Sequence, residues 1–154
     1  MPHHVHPELV LRRTLELNLS ALEVFFDGFL PSDLNPTFVK ELRNVITRKD
    51  LTVSIHSPIL GARTTREMPI LREVFAFARL VSAEILTVHA EPDVEGFLEF
   101  FAPFLHEAVK SHENLLIGIE NTPDTTPSHV NRIIESLGRD LNVGITFDIG
   151  HSGL

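Results

Sequence analysis

The sequence predicts an α/β protein built on a parallel sheet. Segments with apolar residues at helical spacing alternate five times with short apolar runs typical of buried strands. These runs are nearly all apolar, a pattern that favours a parallel sheet covered on both faces. The polar residues that end the runs lie 29, 33, 31 and 28 residues apart, close to the roughly 30 residues of one strand–helix unit. We therefore expect a single domain over 1–154 with about five parallel strands alternating with five helices.

Each predicted helix has a boundary signal or an apolar face. Leucines three and four residues apart predict the first helix, and Asn35 followed by Pro36 predicts the start of the second. A polar loop precedes the third helix. The fourth has an apolar face and contains Pro103, which predicts a kink or a shifted start, and Thr126 followed by Pro127 opens the fifth. The helices are predicted at about 7–18, 36–49, 67–81, 94–112 and 127–138.

The five apolar runs that follow these helices predict the strands. The first, "ALEVFFDG", ends in a turn at Asp27 and Gly28. The others are "LTVSIH", "EILTVHAE", "LLIGIEN" and "VGITFD". The runs span 21–28, 51–56, 84–91, 115–121 and 143–148.

The composition narrows the chemistry that this chain can perform. It has 154 residues and no cysteine, so a metal site must use His, Asp and Glu. Its net charge of −8 disfavours a broad surface for nucleic acid. The first residues lack the features of a signal peptide, and the apolar runs are much shorter than the roughly 20 residues that cross a bilayer. We expect a cytoplasmic protein without a membrane partner.

Polar side chains end four successive strands and predict a metal site. In a parallel sheet the carboxyl ends of all strands lie at one edge, here called the rim, where ligands bind. The predicted strands bring His56, His89, Glu120 and Asp148 to the rim, and His151 follows three residues after Asp148. These are the residue types that bind Zn²⁺ or Mn²⁺ without thiolates. We expect His56, His89, Glu120 and Asp148 to be metal ligands.

Other polar residues near the rim have two interpretations each. Arg63 and Arg66 follow His56 and suit a bound phosphate, although a solvated loop explains them as well. The amide of Asn121 is suited either to orienting Glu120 or to contacting substrate. The amino-terminal "HHVH" is best explained as a mobile terminus.

Four motifs together resemble those of the xylose-isomerase-like TIM-barrel superfamily. The motifs are "SIHSP", "TVHAE", "GIENTP" and "TFDIGH", and the resemblance covers about 20–154. The superfamily includes sugar (phosphate) isomerases and epimerases and also endonuclease IV. The resemblance implies a partial (β/α)8 barrel, because a complete barrel has eight strands and typically about 250 residues. It also implies that later ligands of the family, a His and a Glu, have no counterpart here.

The two branches of the superfamily imply different roles for the same residues. In both, Glu120 and Asp148 match the residues that hold a shared metal. The isomerase branch implies that Glu120 moves the substrate proton and that His151 faces substrate. The nuclease branch implies that His56 and His89 join Glu120 around one metal, while His151 binds another.

Three functions therefore stay open at this point. The favoured one is a metal-dependent sugar or sugar-phosphate isomerase or epimerase, which transfers a proton through a metal-stabilised enediolate. The alternatives are an endonuclease IV-like phosphodiesterase acting on abasic DNA and a non-catalytic half-barrel. The expected cofactor is a divalent metal, whether Zn, Mn, Co or Mg. The expected partners are a small sugar or sugar phosphate and a second copy or other chain that completes the barrel; nucleic acid is less favoured.

Overall fold

The computed structural model describes residues 6–60, 67–112, 114–138 and 141–151. Within these ranges five helices alternate with five strands, which confirms the predicted fold class. The helices are α1 Pro7–Glu16, α2 Pro36–Lys49, α3 Glu67–Leu80, α4 Val94–Ser111 and α5 Pro127–Leu137. The strands are β1 Ala21–Phe25, β2 Thr52–His56, β3 Ile85–His89, β4 Leu116–Glu120 and β5 Val143–Thr146. A short 3₁₀ helix at Pro31–Asp33, which the sequence pattern did not predict, precedes α2. None of the helices in the described ranges is long and apolar enough to cross a membrane.

The sheet is parallel and its strands lie in chain order, β1-β2-β3-β4-β5. Connections between parallel neighbours are right-handed, so a sheet in this order carries its helices on one face, as in a (β/α)8 barrel. The expectation of a sheet covered on both faces is wrong for β1 and β2. Burial alternates along both strands, because only one of their faces is packed against helices.

The packed face of the sheet forms the core together with the apolar sides of the helices. Its side chains are branched and apolar, as expected for strands that pack against helices. They include Leu22, Val24, Val53, Ile55, Leu86, Val88, Ile117 and Ile119, all of them buried. From the helices, Leu42, Leu71, Leu105 and Ile133 are fully buried against this face.

Local hydrogen bonds fix the starts of three helices. The side chain of Asn35 accepts from the N–H of Thr37 at 2.8 Å, as its position before Pro36 predicts. Asp93 caps α4 in the same way. At α5 the N–H of Thr126 donates to Nδ1 of His129 at 2.9 Å, so this histidine completes the cap. The helix α4 begins well before Pro103, so the alternative of a shifted start is wrong.

The other face of the sheet, which we call the inner face, carries mostly small and polar side chains. Below the rim, Thr87 and Thr146 approach each other with their hydroxyl oxygens 3.4 Å apart. Gly118 lies on the strand between them, and a Cβ atom on this glycine would overlap Oγ1 of Thr146. The glycine therefore lets β4 and β5 pair closely directly below Glu120.

Gly118→Ala is expected to lower the free energy of unfolding by about 1–3 kcal/mol, the usual cost of overpacking a rigid site. Gly144→Ala is the matched control, because Gly144 pairs with Gly118 in the register and a Cβ there meets only Leu116 Cδ1, at 3.7 Å. Urea unfolding of both variants measures the difference. An equal loss in the two variants would contradict the assigned role of Gly118.

Candidate metal centre

Three strands end in metal-binding residues and deliver them to the rim. His56, His89 and Glu120 are the last residues of β2, β3 and β4. The register pairs His89 with Glu120. Paired residues of a parallel sheet share a face, so these side chains project together from the inner face. The strand β5 ends at Thr146, so Asp148 lies beyond the strand and not at its end.

The first donor set consists of His56, His89 and Glu120. Nε2 of His56 lies 2.8 Å from Oε2 of Glu120, and Nε2 of His89 lies 3.2 Å from the same oxygen. The two Nε2 atoms are 3.3 Å apart. The side chains of His89 and Glu120 are each only 4% exposed, and that of His56 is 14% exposed. The three atoms thus form a small, nearly dry triangle.

The buried setting shifts the pKa values of all three groups. Burial raises the pKa of Glu120, since the ionised carboxylate loses hydration there. Burial also lowers the pKa of His89 to about 4, and the nearby charge of His56 adds to this effect. At His56 burial acts to lower the pKa, but the Glu23 and Glu120 carboxylates outweigh it, so its pKa is raised. At neutral pH His89 is therefore neutral.

The second donor set consists of Glu120, Asp148 and His151. One donor atom from each residue lies within 4.8 Å of the others. Oδ2 of Asp148 and Nδ1 of His151 are 3.6 Å apart, and both side chains are partly exposed. Oδ1 of Asp148 accepts from the N–H of Gly150 at 2.6 Å, which holds the carboxylate above the rim. Glu120 belongs to both sets.

The first donor set fits a divalent cation. Ligand atoms about 2.0–2.2 Å from a Zn²⁺ or Mg²⁺ ion are about 2.8–3.6 Å from one another in tetrahedral or octahedral geometry. The three separations in this set lie between 2.8 and 3.3 Å. The buried Oε2 of Glu120 also has no well-formed hydrogen bond, although it faces two ring nitrogens. Buried polar atoms rarely lack a partner. A cation bound among Oε2 of Glu120 and the two Nε2 atoms would give all three a partner.

The structure adds one residue that the sequence pattern did not single out. Glu23, on β1, places Oε1 3.7 Å from Nδ1 of His56 and accepts from Oγ of Ser54 at 3.4 Å. The contact with His56 is the main cause of the lowered pKa of Glu23. A carboxylate behind a histidine ligand fixes the ring and its tautomer. The signal was the alternation in "ALEVF", where Glu23 interrupts the apolar residues.

Glu23→Gln is expected to lower the affinity for the first cation about tenfold, because residues that support a ligand from behind contribute about 10–100-fold to affinity. Glu84→Gln is the matched control, since Glu84 accepts from Thr52 Oγ1 at 3.2 Å, before β3 and away from the rim. Calorimetric titration with Zn²⁺ measures both. Equal affinities in the two variants would show that Glu23 does not support His56.

The remaining candidates have different outcomes. Arg63 and Arg66 lie outside the described residues, and their role at a phosphate stays a prediction. The side chain of Asn121 bonds to the backbone of Asp148, and its contact with substrate also stays a prediction. Asp27 belongs to neither donor set among the described residues. His3 and His4 also lie outside the described residues.

Comparison with known proteins gives similarity in structure alone. No family model matches the chain, and no curated protein matches it. Among solved structures, endonuclease IV from Thermus thermophilus matches with a TM-score of 0.68 and 18% identity over 94% of this chain. The TTHB071 protein from the same organism, soaked with ZnCl2, matches with a TM-score of 0.65 and 21% identity over 94% of this chain. A xylose isomerase-like TIM barrel/4-hydroxyphenylpyruvate dioxygenase fusion protein matches with a TM-score of 0.65 and 14% identity over 97%.

These matches confirm the resemblance at the level of the fold. The chain spans 58% of the endonuclease IV chain, 63% of the TTHB071 chain and 26% of the fusion protein. Its five strands and five helices thus correspond to part of a TIM barrel.

Proposed function

We propose that the rim binds two divalent cations and hydrolyses a phosphate ester of the phosphodiester class. The observation that carries this proposal is that Glu120 is shared between two donor sets. One carboxylate common to two groups of ligands is suited to a pair of cations close together, which is the arrangement of many phosphoester hydrolases.

The residues of the chain have separate roles in this proposal. His56 and His89 bind through Nε2, and His89 is ready to do so at neutral pH because its pKa is about 4. Glu120 would supply negative charge to both cations, and Asp148 would supply it on the more exposed side. When bound, the cations supply positive charge for a phosphoryl oxygen and make water more acidic. Each donor set has three protein ligands, which leaves room for water or substrate, as in catalytic zinc sites.

Two of the similar structures support the choice of ion and reaction. Endonuclease IV has the same fold, and TTHB071 was soaked with ZnCl2. Zn²⁺ is therefore the first ion to test, followed by Mn²⁺ and Co²⁺, which suit the same nitrogen and oxygen donors.

A second candidate, sugar or sugar-phosphate isomerisation or epimerisation, rests on a different observation. Glu120 is buried and its pKa is raised, which suits a carboxylate that takes a proton from carbon and returns it nearby. The net charge of −8 also favours a small substrate over DNA. In this reaction His151 would face the sugar.

The proposal includes a chain that closes the barrel. Phe25 on β1 is 45% exposed and Ile145 on β5 is 57% exposed, so apolar side chains lie open at both edge strands. A second copy or another chain against these edges would cover them. Light scattering on the protein with and without Zn²⁺ measures whether the chain associates with itself.

One set of assays separates the candidates. The protein, first stripped with a chelator, is loaded with Zn²⁺, Mn²⁺ or Co²⁺ and given an abasic DNA duplex, an aryl phosphodiester and a panel of ketoses and their phosphates. Metal-dependent hydrolysis that His56→Ala removes and His106→Ala keeps would support the first candidate, since His106 is exposed on α4. Interconversion of sugars alone would support the second. Two bound cations with no turnover would contradict both and indicate a binding module.

A further inference from the structure

We infer that Asn121 is a positioning residue that holds the second donor set above the rim. The inference rests on the proposed two-cation site. In it Asn121 neither binds a cation nor contacts substrate, but holds residues that do. Its side chain forms two hydrogen bonds with the backbone of one residue, Asp148.

The two hydrogen bonds extend the pairing of β4 and β5 past the end of the strand. The last paired residues are Glu120 and Thr146. Beyond them, Oδ1 of Asn121 accepts from the N–H of Asp148 at 2.8 Å, and Nδ2 donates to the carbonyl oxygen of Asp148 at 2.9 Å. Asn121 is 6% exposed, so these bonds are largely shielded from water. An amide side chain thus supplies the donor and the acceptor that a neighbouring strand would supply.

The backbone of Asn121 also orients His151. The carbonyl oxygen of Asn121 lies 3.0 Å from Nδ1 of His151. A carbonyl oxygen only accepts, so Nδ1 carries the hydrogen in this contact, and in the neutral ring Nε2 keeps its lone pair. Nε2 is therefore the atom of His151 that is free to bind a cation. One residue thus sets the position of Asp148 and the tautomer of His151.

The first donor set does not depend on these contacts. His56 is held by its strand and by the hydrogen bond from the N–H of Phe26 to its carbonyl oxygen at 3.0 Å. The carbonyl oxygen of Glu120 accepts from the N–H of Ala90 at 2.8 Å, which fixes it to β3. Removing the side chain of Asn121 should therefore affect the two cations unequally.

The test is a titration of the chelator-treated protein with Co²⁺, followed by visible absorption, and with Zn²⁺, followed by calorimetry. The unmodified protein is expected to bind two equivalents. In Asn121→Ala the second equivalent is expected to bind at least about tenfold more weakly, in the range known for residues that orient ligands. The first equivalent should keep its affinity within about threefold and its Co²⁺ spectrum.

Asn142→Ala is the matched control. Nδ2 of Asn142 donates to the carbonyl oxygen of Leu115 at 3.3 Å, so this amide joins the same two segments at the opposite end of β4 and β5. The control should lose some stability and bind both equivalents as before. A merely structural role for Asn121 predicts that the two variants lose cation binding to the same extent, and that result would overturn the inference.

A measurement on the unmodified protein keeps the inference testable if Asn121→Ala does not fold. Nitrogen-15 spectra of histidine should show the neutral ring of His151 with its hydrogen on Nδ1, and a neutral ring with its hydrogen on Nε2 would overturn the inference. Failure of the proposed function gives a different result. If the unmodified protein binds no cation, the two-cation site itself is ruled out. If Asn121→Ala binds both cations as well as the unmodified protein does, only the role of Asn121 is ruled out.

Discussion

The Glu120→Gln variant is expected to bind neither cation tightly. Glu120 belongs to both donor sets, and its Oε2 lies within 3.2 Å of two ring nitrogens. A neutral amide oxygen is a weaker ligand for a divalent cation and leaves the charge of the ion uncompensated in a buried site. Residues that only orient a ligand contribute about 10–100-fold, so the loss of a shared ligand should exceed about 100-fold for each equivalent. Any metal-dependent turnover should fall to background.

The same substitution should leave the fold intact. Glutamine has almost the same shape as glutamate. Burial raises the pKa of Glu120, which means that the ionised carboxylate is less favourable in the folded state than in the unfolded chain. Thermal unfolding without metal, followed by circular dichroism, should therefore be nearly unchanged. Glu95→Gln is the control, because Glu95 is an exposed partner of Arg132, at 2.6 Å. Two equivalents bound by Glu120→Gln with unchanged affinity would contradict the shared role of Glu120.

The affinity of the first cation is expected to fall about tenfold for each pH unit below the pKa of His56. A cation binds the neutral ring, and the pKa of His56 is raised because the pull of Glu23 and Glu120 exceeds the effect of burial. The proton on His56 must therefore leave at a pH above the ordinary value of 6.5. His89, with a pKa of about 4, is already neutral at that pH and adds no proton. Two pH units should thus change the affinity about 100-fold.

Calorimetric titration in buffers of different ionisation enthalpy counts the protons released. We expect about one proton per first cation near pH 6. His56→Ala should bind that cation weakly and release fewer protons, whereas His106→Ala should behave like the unmodified protein. An affinity that does not change between pH 5 and pH 7 would show that the cation does not displace a proton from His56.

The convergence of His56, His89 and Glu120 followed from the sequence because it depends on a simple rule. Parallel strands at a regular repeat place their last residues at one edge, and each of these three residues is the last of its strand. The rule is weaker at the fifth unit, where β5 stops at Thr146 and a hydrogen-bonded loop carries Asp148. The prediction of a strand over 143–148 missed this early end, because the apolar pattern continues beyond the backbone pairing.

The roles of Glu23 and Asn121 could not be predicted from the sequence because they depend on register. Glu23 reaches His56 since Phe25 and His56 are paired residues of adjacent strands. Asn121 reaches Asp148, 27 residues away, because Glu120 pairs with Thr146. A shift of one residue in either pairing would turn these side chains to the other face. The sequence shows the residue types but not the register.

The contact between His56 and Glu120 joins two strands that are not neighbours, since β3 lies between β2 and β4. Proteins in which each unit touches only the next can open locally, one unit at a time. An ion bound by both residues would crosslink three successive strand–helix units. Amide hydrogen exchange in β2 and β4 would then slow together and reach a common rate, whereas exchange in β1, at the edge, would change much less.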